Sequence, residues 1–233
     1  MDRDLLRQYL TFYRDLGVRD LYLAKESPES EIFPSLITAE SGGDDSMQKI
    51  RADIGDCKRC RLCEARKTIV FGSGNEQAKL VFVGEGPGAD EDAQGLPFVG
   101  RAGQLLTQMI DGTSAKEGLP IRRADVYICN VVKCRPPDNR TPQPDEMEIC
   151  GQFVFRQLMV IRPKAIVCLG ATATKALLNT KEGITKLRGN WQKWRDIPVM
   201  PTYHPSFLLR AYNVQAKREA WEDLKKVLHY VYE

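Results

Sequence analysis

Three cysteines lie two residues apart in the stretch CKRCRLCEAR, which runs from Cys57 to Arg66 and alternates thiols with basic side chains. Thiols at this spacing can hold a metal ion, form a redox pair or contribute to an iron–sulfur site. The chain has four further cysteines, which are Cys129, Cys134, Cys150 and Cys168. A disulfide framework is not expected, because the charged N-terminal segment is unlike a secretory signal and predicts a cytoplasmic protein with no membrane span.

Glycines and carboxylates crowd the segment VGEGPGADED, residues 83–92, where the glycines allow a tight turn and a close approach to a ligand. A dinucleotide site is a poor interpretation of this segment. Pro87 removes a backbone donor, and acids such as Glu85 and Glu91 would repel a phosphate. Phe98 follows shortly after, and its ring is either a core side chain or a platform on which a ligand stacks.

Two further polar side chains occur in unusual surroundings. Asn130 lies within an apolar run, and its amide offers a donor and an acceptor that suit either the edge of a nucleobase or the local backbone. His204 is one of two histidines and precedes Pro-Ser, after which residues 207–210 form an apolar cluster that ends in a cation. Such a cluster is typical of a wedge that enters a base stack, although a buried helix start would have the same pattern.

The elements that must position these groups alternate between strand and helix. Four β-branched or apolar runs predict strands, at 78–85, 125–132, 164–170 and 197–203. Three of the runs are continuously apolar, which suits strands buried on both faces of a parallel sheet. We therefore predict a three-layer α/β/α sandwich around a central four-stranded, mainly parallel sheet, with the candidate groups beyond the carboxyl ends of the strands.

The N-terminal part of the chain differs from this body. Residues 2–23 have apolar positions at helical spacing, and residues 25–47 contain the Pro, Ser, Gly and clustered acids of a linker. We therefore predict a helical appendage with an acidic linker at 1–47 and a catalytic body at 48–233. Residues 1–56 carry 7 basic and 12 acidic side chains, whereas the remaining chain carries 27 and 19. The basic excess favours a polyanionic partner, although a solvated basic surface explains it equally well.

Three motifs together resemble the signature segments of the family 4 uracil-DNA glycosylases, the iron–sulfur-containing, thermostable-type branch: GEGPGADED…GLPFVGRAGQLL, ICNVVKCRPPDNR and YHPSFLLR. The resemblance extends from about Asp56 through the C-terminal helix and does not cover residues 1–47. It implies the uracil-DNA glycosylase-like fold and an enzyme that flips uracil out of DNA. Such an enzyme hydrolyses the N-glycosidic bond and leaves an abasic site for base-excision repair.

The resemblance implies catalytic roles for three residues. Asn130 would read the edge of uracil, and His204 would donate to uracil O2, where negative charge grows as the base leaves. Glu85 would orient water and stabilise positive charge on the sugar. The loop 133–142 contains no histidine, unlike that of the related covalently trapping branch, and turnover is therefore expected.

The same resemblance assigns substrate contacts to Gly86, Glu91 and Phe98, in addition to Asn130 and His204. Phe98 would stack on the flipped base, and Glu91 is a second acid near it. Gly86 replaces the water-activating Asp of the best-known uracil glycosylase family. Hydrolysis is therefore expected to depend on stabilising the separating sugar cation and uracil anion.

The resemblance also implies a structural [4Fe–4S] cluster with the ligands Cys57, Cys60, Cys134 and Cys150. Zinc in tetrahedral coordination would accept the same four thiolates and is the less favoured alternative. Cys63 departs from the family pattern and is either a bystander or a substitute ligand. Cys129 and Cys168 lie in apolar strands and are expected to be core residues.

A cluster at this position would bring two basic segments together as a phosphate-binding rim. The predicted DNA contacts are Arg59, Arg61, Lys133 and Arg135 of this rim, with Ser206, Leu208, Leu209 and Arg210 of the fourth strand end. The expected partner is uracil-containing DNA, single- or double-stranded, bound by a monomer. The N-terminal appendage is a candidate site for a repair-protein partner.

Two other functions stay open at this stage. One is a non-catalytic module that binds damaged bases or nucleic acid and has a structural metal site. The other is an iron–sulfur redox protein. The presence of Glu85, Asn130 and His204 in one chain favours the enzyme.

Overall fold

The computed structural model describes residues 45–233, and the fold is described for this part of the chain. The strands are β1 (Ser73–Gly74), β2 (Leu80–Gly84), β3 (Tyr127–Asn130), β4 (Ala165–Leu169), β5 (Gln192–Trp194) and β6 (Ile197–Thr202). They form one sheet in the order β1-β3-β2-β4-β6-β5. The four inner strands are parallel, whereas β1 and β5 pair antiparallel at the two edges.

The four inner strands coincide with the four predicted runs, and the mainly parallel sheet is confirmed. The sheet nevertheless has six strands instead of four. β1 has two residues and β5 has three, which is too short for an alternating or continuously apolar pattern to be recognised. The predicted helix at 2–23 lies outside the described residues, as does nearly all of the predicted linker.

Eight α-helices are found in residues 45–233: α1 (Met47–Ile54), α2 (Ala89–Gln94), α3 (Arg101–Lys116), α4 (Pro144–Ile161), α5 (Ala171–Leu178), α6 (Ile184–Leu187), α7 (Pro205–Leu208) and α8 (Val214–Tyr232). The longer helices match the predicted helical segments between the strands. The predicted boundary at 47/48 falls in the first turn of α1, and Met47 is part of the core. The folded body therefore includes residues on both sides of that boundary.

Two separate cores lie on the two faces of the sheet, and β2 shows why. Val81 and Val83 pack with α1, α4 and α5 on one face, whereas Leu80 and Phe82 pack with α3 and α8 on the other. All four side chains are almost fully buried, since successive residues of a strand point to opposite faces. This arrangement confirms the three-layer sandwich.

No helix in residues 45–233 combines the length and the apolar composition needed to cross a lipid bilayer.

Candidate active site

A pocket of about 460 Å³ opens where the carboxyl ends of the four parallel strands meet. Each of these strands contributes to it, since Glu85 follows β2, Asn130 ends β3, Gly170 follows β4 and His204 lies just beyond β6. Side chains at these ends converge because parallel strands present their carboxyl ends at one edge of the sheet. The pocket brings together all six of the predicted catalytic and substrate-binding residues and one predicted DNA contact; these are Glu85, Gly86, Glu91, Phe98, Asn130 and His204, with Ser206.

Asn130 lines this pocket and is only 1% exposed. Its Oδ1 atom has no hydrogen-bond partner within residues 45–233. A buried amide oxygen without a partner is costly, and a ligand that donates a hydrogen bond there removes the penalty. Asn130 is paired in register with Gly84 of β2, where a Cβ atom would lie 2.4 Å from Oδ1. The amide can therefore contact a ligand because position 84 has no side chain.

Phe98 is buried, and its ring lies between Gly84 and His204. A Cβ atom at Gly84 would be 2.6 Å from two atoms of the ring, and the ring centroid is 5.7 Å from that of His204. The backbone of Phe98 has a φ of 54°, a left-handed conformation that is unfavourable for a bulky residue. Arg123 Nη2 donates to the carbonyl of Pro97 at 2.9 Å and helps to hold this turn. Phe98 can serve as a flat wall for a planar ligand.

Glu91 fixes the loop that carries Phe98. Its Oε1 atom accepts hydrogen bonds from the backbone N–H groups of Val99 and Gly100, both at 2.9 Å, and Oε2 accepts one from Gly88 at 3.1 Å. These contacts join both ends of the segment between residues 88 and 100. The sequence suggested a carboxylate near the base, whereas the structure adds that Glu91 shapes the pocket wall.

His204 lies in the pocket wall as a neutral donor. Burial lowers the pKa of its imidazole to about 4, against the opposing influence of the Glu91 charge. The ring atom Nδ1 accepts a hydrogen bond from the backbone N–H of Ser206 at 3.2 Å and lies 2.7 Å from the Ser206 hydroxyl. Because Nδ1 is an acceptor, the neutral ring carries its proton on Nε2.

Glu85 forms a contact that the sequence did not predict. The hydroxyl of Thr172 donates a hydrogen bond to Glu85 Oε2, and both residues line the pocket. Thr172 lies at the beginning of α5, which follows β4 directly. Site residues of a parallel sheet lie just beyond the carboxyl ends of its strands, which is how Glu85 and Asn130 were identified. Thr172 lies just beyond the end of β4, so the same criterion could have indicated it, although the segment ATATKALL has no other distinctive feature.

Five cysteines line a second, small cavity beside α1 and α4, and these are Cys57, Cys60, Cys63, Cys134 and Cys150. Cys129 and Cys168 lie apart from it as fully buried core residues of β3 and β4, as the sequence predicts. Burial raises the pKa of Cys134 to about 11 and that of Cys150 to about 12. Within residues 45–233, no three His, Cys, Asp or Glu side chains are arranged to hold a single metal ion.

Several N–H groups point at the sulfur atoms of this cavity. The backbone N–H of Lys133 donates to Cys150 Sγ at 3.2 Å, and Arg66 donates to Cys134 Sγ at 3.5 Å. Arg59 donates to Cys57 Sγ, also at 3.5 Å. Four cysteine thiolates are the ligands of a [4Fe–4S] cluster, and N–H donors and positive charge near the sulfur atoms stabilise their anionic form. The residues present therefore fit such a group.

Two of the predicted DNA contacts are wrong. Lys133 is 1% exposed, and its ammonium group donates to the Asn130 carbonyl at 2.9 Å and to Gln157 Oε1 at 2.7 Å. It cannot reach a phosphate from there. Leu208 is also 1% exposed, because it lies on the inner side of α7. The sequence pattern did not separate the inner and outer faces of this short helix.

The other predicted contacts are accessible to different degrees. Arg59 and Arg61 pair with the carboxylates of Asp53 and Asp145, which offset their charge. Arg135 donates to Asn139 Oδ1 at 2.8 Å. The last three predicted DNA contacts, Ser206, Leu209 and Arg210, are exposed and lie in or just after α7. Phe207 is exposed beside them and was not among the predicted contacts.

Comparison with known proteins identifies one family. The model of the uracil DNA glycosylase superfamily matches residues 71–225. A type-4 uracil-DNA glycosylase from Thermotoga maritima is 46% identical over 79% of this chain and 94% of its own length. The type-4 enzymes of Sulfurisphaera tokodaii and Archaeoglobus fulgidus are 44% and 42% identical, each over 78% of this chain and over 84% and 92% of their own lengths.

Proposed function

The chain belongs to the uracil DNA glycosylase superfamily, and from this premise we propose how its pocket excises uracil from DNA. The activity, removal of uracil in DNA repair, is that of the family. The proposal assigns it to individual side chains. A uracil that has been flipped out of the DNA enters the pocket, its N-glycosidic bond is hydrolysed, and an abasic site remains.

The observation that carries the assignment is the unpaired Oδ1 of Asn130. Uracil presents a donor at N3–H and an acceptor at O4, which match the acceptor and donor of a carboxamide. Cytosine presents the reversed pattern and would leave the buried amide unpaired. A site built to hydrogen-bond its substrate discriminates strongly against an analogue that cannot make the bond. Asn130 is therefore the residue that selects uracil.

Bond cleavage transfers the pair of electrons of the C1′–N1 bond to the base, and the charge is shared with uracil O2. The Nε2–H of neutral His204 is suited to donate to that oxygen as charge develops. Phe98 provides the wall against which the ring stacks. The sugar becomes cationic, and the Glu85 carboxylate stabilises this charge and orients the water that attacks C1′. One proton of the water passes to the carboxylate or to solvent, and uracil is later protonated.

A [4Fe–4S] cluster held by Cys57, Cys60, Cys134 and Cys150 is the second part of the proposal. The supporting observation is the set of thiols in one cavity, with N–H donors directed at three of them. When bound, the cluster supplies a covalent tie between the segment before β1 and the segment after β3. Cys63 lines the same cavity and is a bystander or a substitute ligand.

DNA is proposed to contact the outer side of α7 and the residues that follow it. Phe207 and Leu209 are 37% and 36% exposed, and Arg210 lies beside them. An exposed apolar pair can fill the space left by a flipped nucleotide, while the guanidinium contacts a phosphate. We further propose that the protein acts on uracil-containing DNA as a monomer in the cytoplasm. The N-terminal segment is proposed to bind a repair-protein partner.

The test uses an oligonucleotide with one uracil, followed by alkali to break the strand at abasic sites. The wild-type chain should produce the break. Asn130→Asp and His204→Ala should each lower the single-turnover rate about a hundredfold or more. A protein that binds uracil-containing DNA without producing abasic sites would be the non-catalytic module instead.

Two surface changes serve as matched controls. Asn190→Asp alters an exposed amide, and His229→Ala removes the other histidine of the chain, which pairs with Glu117 and Glu233. Both should retain the wild-type rate. The roles given to Asn130 and His204 are wrong if their variants are as fast as these controls.

A further inference from the structure

The hydroxyl of Thr172 lies in the pocket but outside the motifs that carry the family resemblance. It donates a hydrogen bond to Glu85 Oε2, and within residues 45–233 it is the one group that donates to this carboxylate. We propose that Thr172 is a positioning residue that fixes the Glu85 carboxylate and leaves Oε1 free for water. This inference rests on the role proposed above for Glu85, which is to orient the attacking water and stabilise charge on the sugar.

Glu85 needs such a contact because, in the part of the chain that the structure describes, no other hydrogen bond or ion pair restrains its side chain. Its backbone carbonyl accepts a hydrogen bond from Val132 at 3.1 Å, which fixes the main chain at the end of β2. Beyond Cα, however, the side chain has several rotatable bonds and borders an open pocket. A single well-directed donor can select one rotamer from these. A charge-assisted hydrogen bond to a carboxylate is strong enough to do so.

Thr172 is a rigid donor. Its β-branched side chain has few rotamers in a helix, and only 8% of the residue is exposed. The turn before it is held by Gly170, whose N–H donates to the Thr202 carbonyl at 2.9 Å. A Cβ atom at Gly170 would lie 2.9 Å from the Cβ of His204. The turn at 170–172 therefore contacts both His204 and Glu85 and relates their positions.

The contact of Thr172 is not the one that a helical threonine usually makes. The hydroxyls of Thr107 and Thr174 donate to the carbonyls of Gly103 and Gly170, four residues earlier, at 3.0 and 2.8 Å. Each of these two bonds stays within one helix or its N-cap. The hydroxyl of Thr172 instead donates to Glu85, which lies 87 positions away at the end of another strand. A role in helix stability does not explain this contact.

The experiment compares Thr172→Val, which keeps the shape and removes the donor, with Thr172→Ser, which keeps the donor. Thr174→Val is the matched control, since it removes a buried hydroxyl from the same helix. Each protein is assayed by single-turnover excision from a uracil-containing duplex. The affinity for a duplex with a stable abasic-site analogue is measured in parallel.

We expect Thr172→Val to lower the excision rate constant about tenfold, with the affinity for the abasic duplex unchanged. Thr172→Ser should recover most of the rate, and Thr174→Val should keep it. In a background of Glu85→Ala, Thr172→Val should cause no further loss, because the carboxylate that it positions is absent. This last comparison separates positioning from a general structural effect.

The inference is overturned if Thr172→Val stays within twofold of the wild type, or if Thr172→Ser is as slow as Thr172→Val. It is also overturned if Thr172→Val slows the Glu85→Ala protein as much as it slows the wild type. Failure of the proposed function would give different experimental results. In that case the wild type makes no abasic sites, or Glu85→Ala excises uracil at the wild-type rate.

Discussion

The pocket depends on the absence of a side chain at Gly84, and Gly84→Ala tests this directly. The added Cβ would lie 2.4 Å from Asn130 Oδ1 and 2.6 Å from two atoms of the Phe98 ring. Gly84 is buried in the central strand, and the backbone cannot move aside without disturbing the pairing of β2 with β3 and β4. The two side chains must therefore move.

The size of the movement sets the expected effect. Ordinary van der Waals contact begins at 3.4 Å, so the amide oxygen must retreat by about 1 Å and the ring by about 0.8 Å. A misplacement of about 1 Å in a catalytic site lowers the rate by about a hundredfold, which corresponds to about 2.7 kcal/mol. Overpacking should also lower the free energy of unfolding by about 1–3 kcal/mol. The loss of rate should thus exceed what a moderate loss of stability explains.

The assay is single-turnover excision of uracil from a labelled duplex, with the thermal unfolding of each variant measured alongside. Gly112→Ala is the matched control, because it adds the same methyl group to a helix at a position with no atom within 4 Å. Alanine is the better helix former by about 1 kcal/mol. This control should therefore be as active as the wild type and equally or more stable.

The reasoning is refuted if folded Gly84→Ala excises uracil within threefold of the wild-type rate. Such a result would mean that Asn130 and Phe98 can move by 1 Å without consequence. Their positions would then not determine recognition of the base.

Three other predictions concern separate parts of the molecule. The excision rate should stay level as the pH falls from 7.5 to 5 and decline only near pH 4, since burial lowers the pKa of His204 to about 4. The proton then added to Nδ1 removes the acceptor for the Ser206 N–H, which holds the ring so that Nε2–H is directed at the base. A decline centred near pH 6.5 would contradict this, and the decline should be absent in His204→Gln. The purified Cys134→Ser protein should lose its bound iron and its absorbance at about 400 nm. If Cys63→Ser also loses this absorbance, Cys63 is a ligand of the cluster. Arg210→Gln should reduce the salt dependence of DNA binding by about one unit of the log–log slope, whereas Lys133→Met should leave that slope unchanged, because its ammonium is buried.

The sequence predicted which residues meet at the pocket more reliably than which residues reach the solvent. Strand periodicity and motif order were sufficient for the four inner strands and the convergence of Glu85, Asn130 and His204, since both follow from local pattern and from the geometry of parallel sheets. The same patterns placed Lys133 and Leu208 on the DNA-binding surface. A basic residue next to a predicted ligand and a leucine in an apolar cluster carry no sign of burial. Burial depends on which face of a loop or short helix meets the core.

The remaining features exist only through tertiary contacts. Thr172 reaches Glu85 across 87 positions of the chain, and no local pattern announces such a pair. The left-handed backbone of Phe98 is sustained by Glu91 and Arg123, and Lys133 is accommodated in the core by the carbonyl and amide oxygens around it. Sequence by itself thus determined the family, the four inner strands and the residues that meet at their carboxyl ends, because these follow from motif order and short-range pattern. The tertiary structure alone decided how those groups are held and which cations are available to DNA, because both depend on atoms that distant segments bring together.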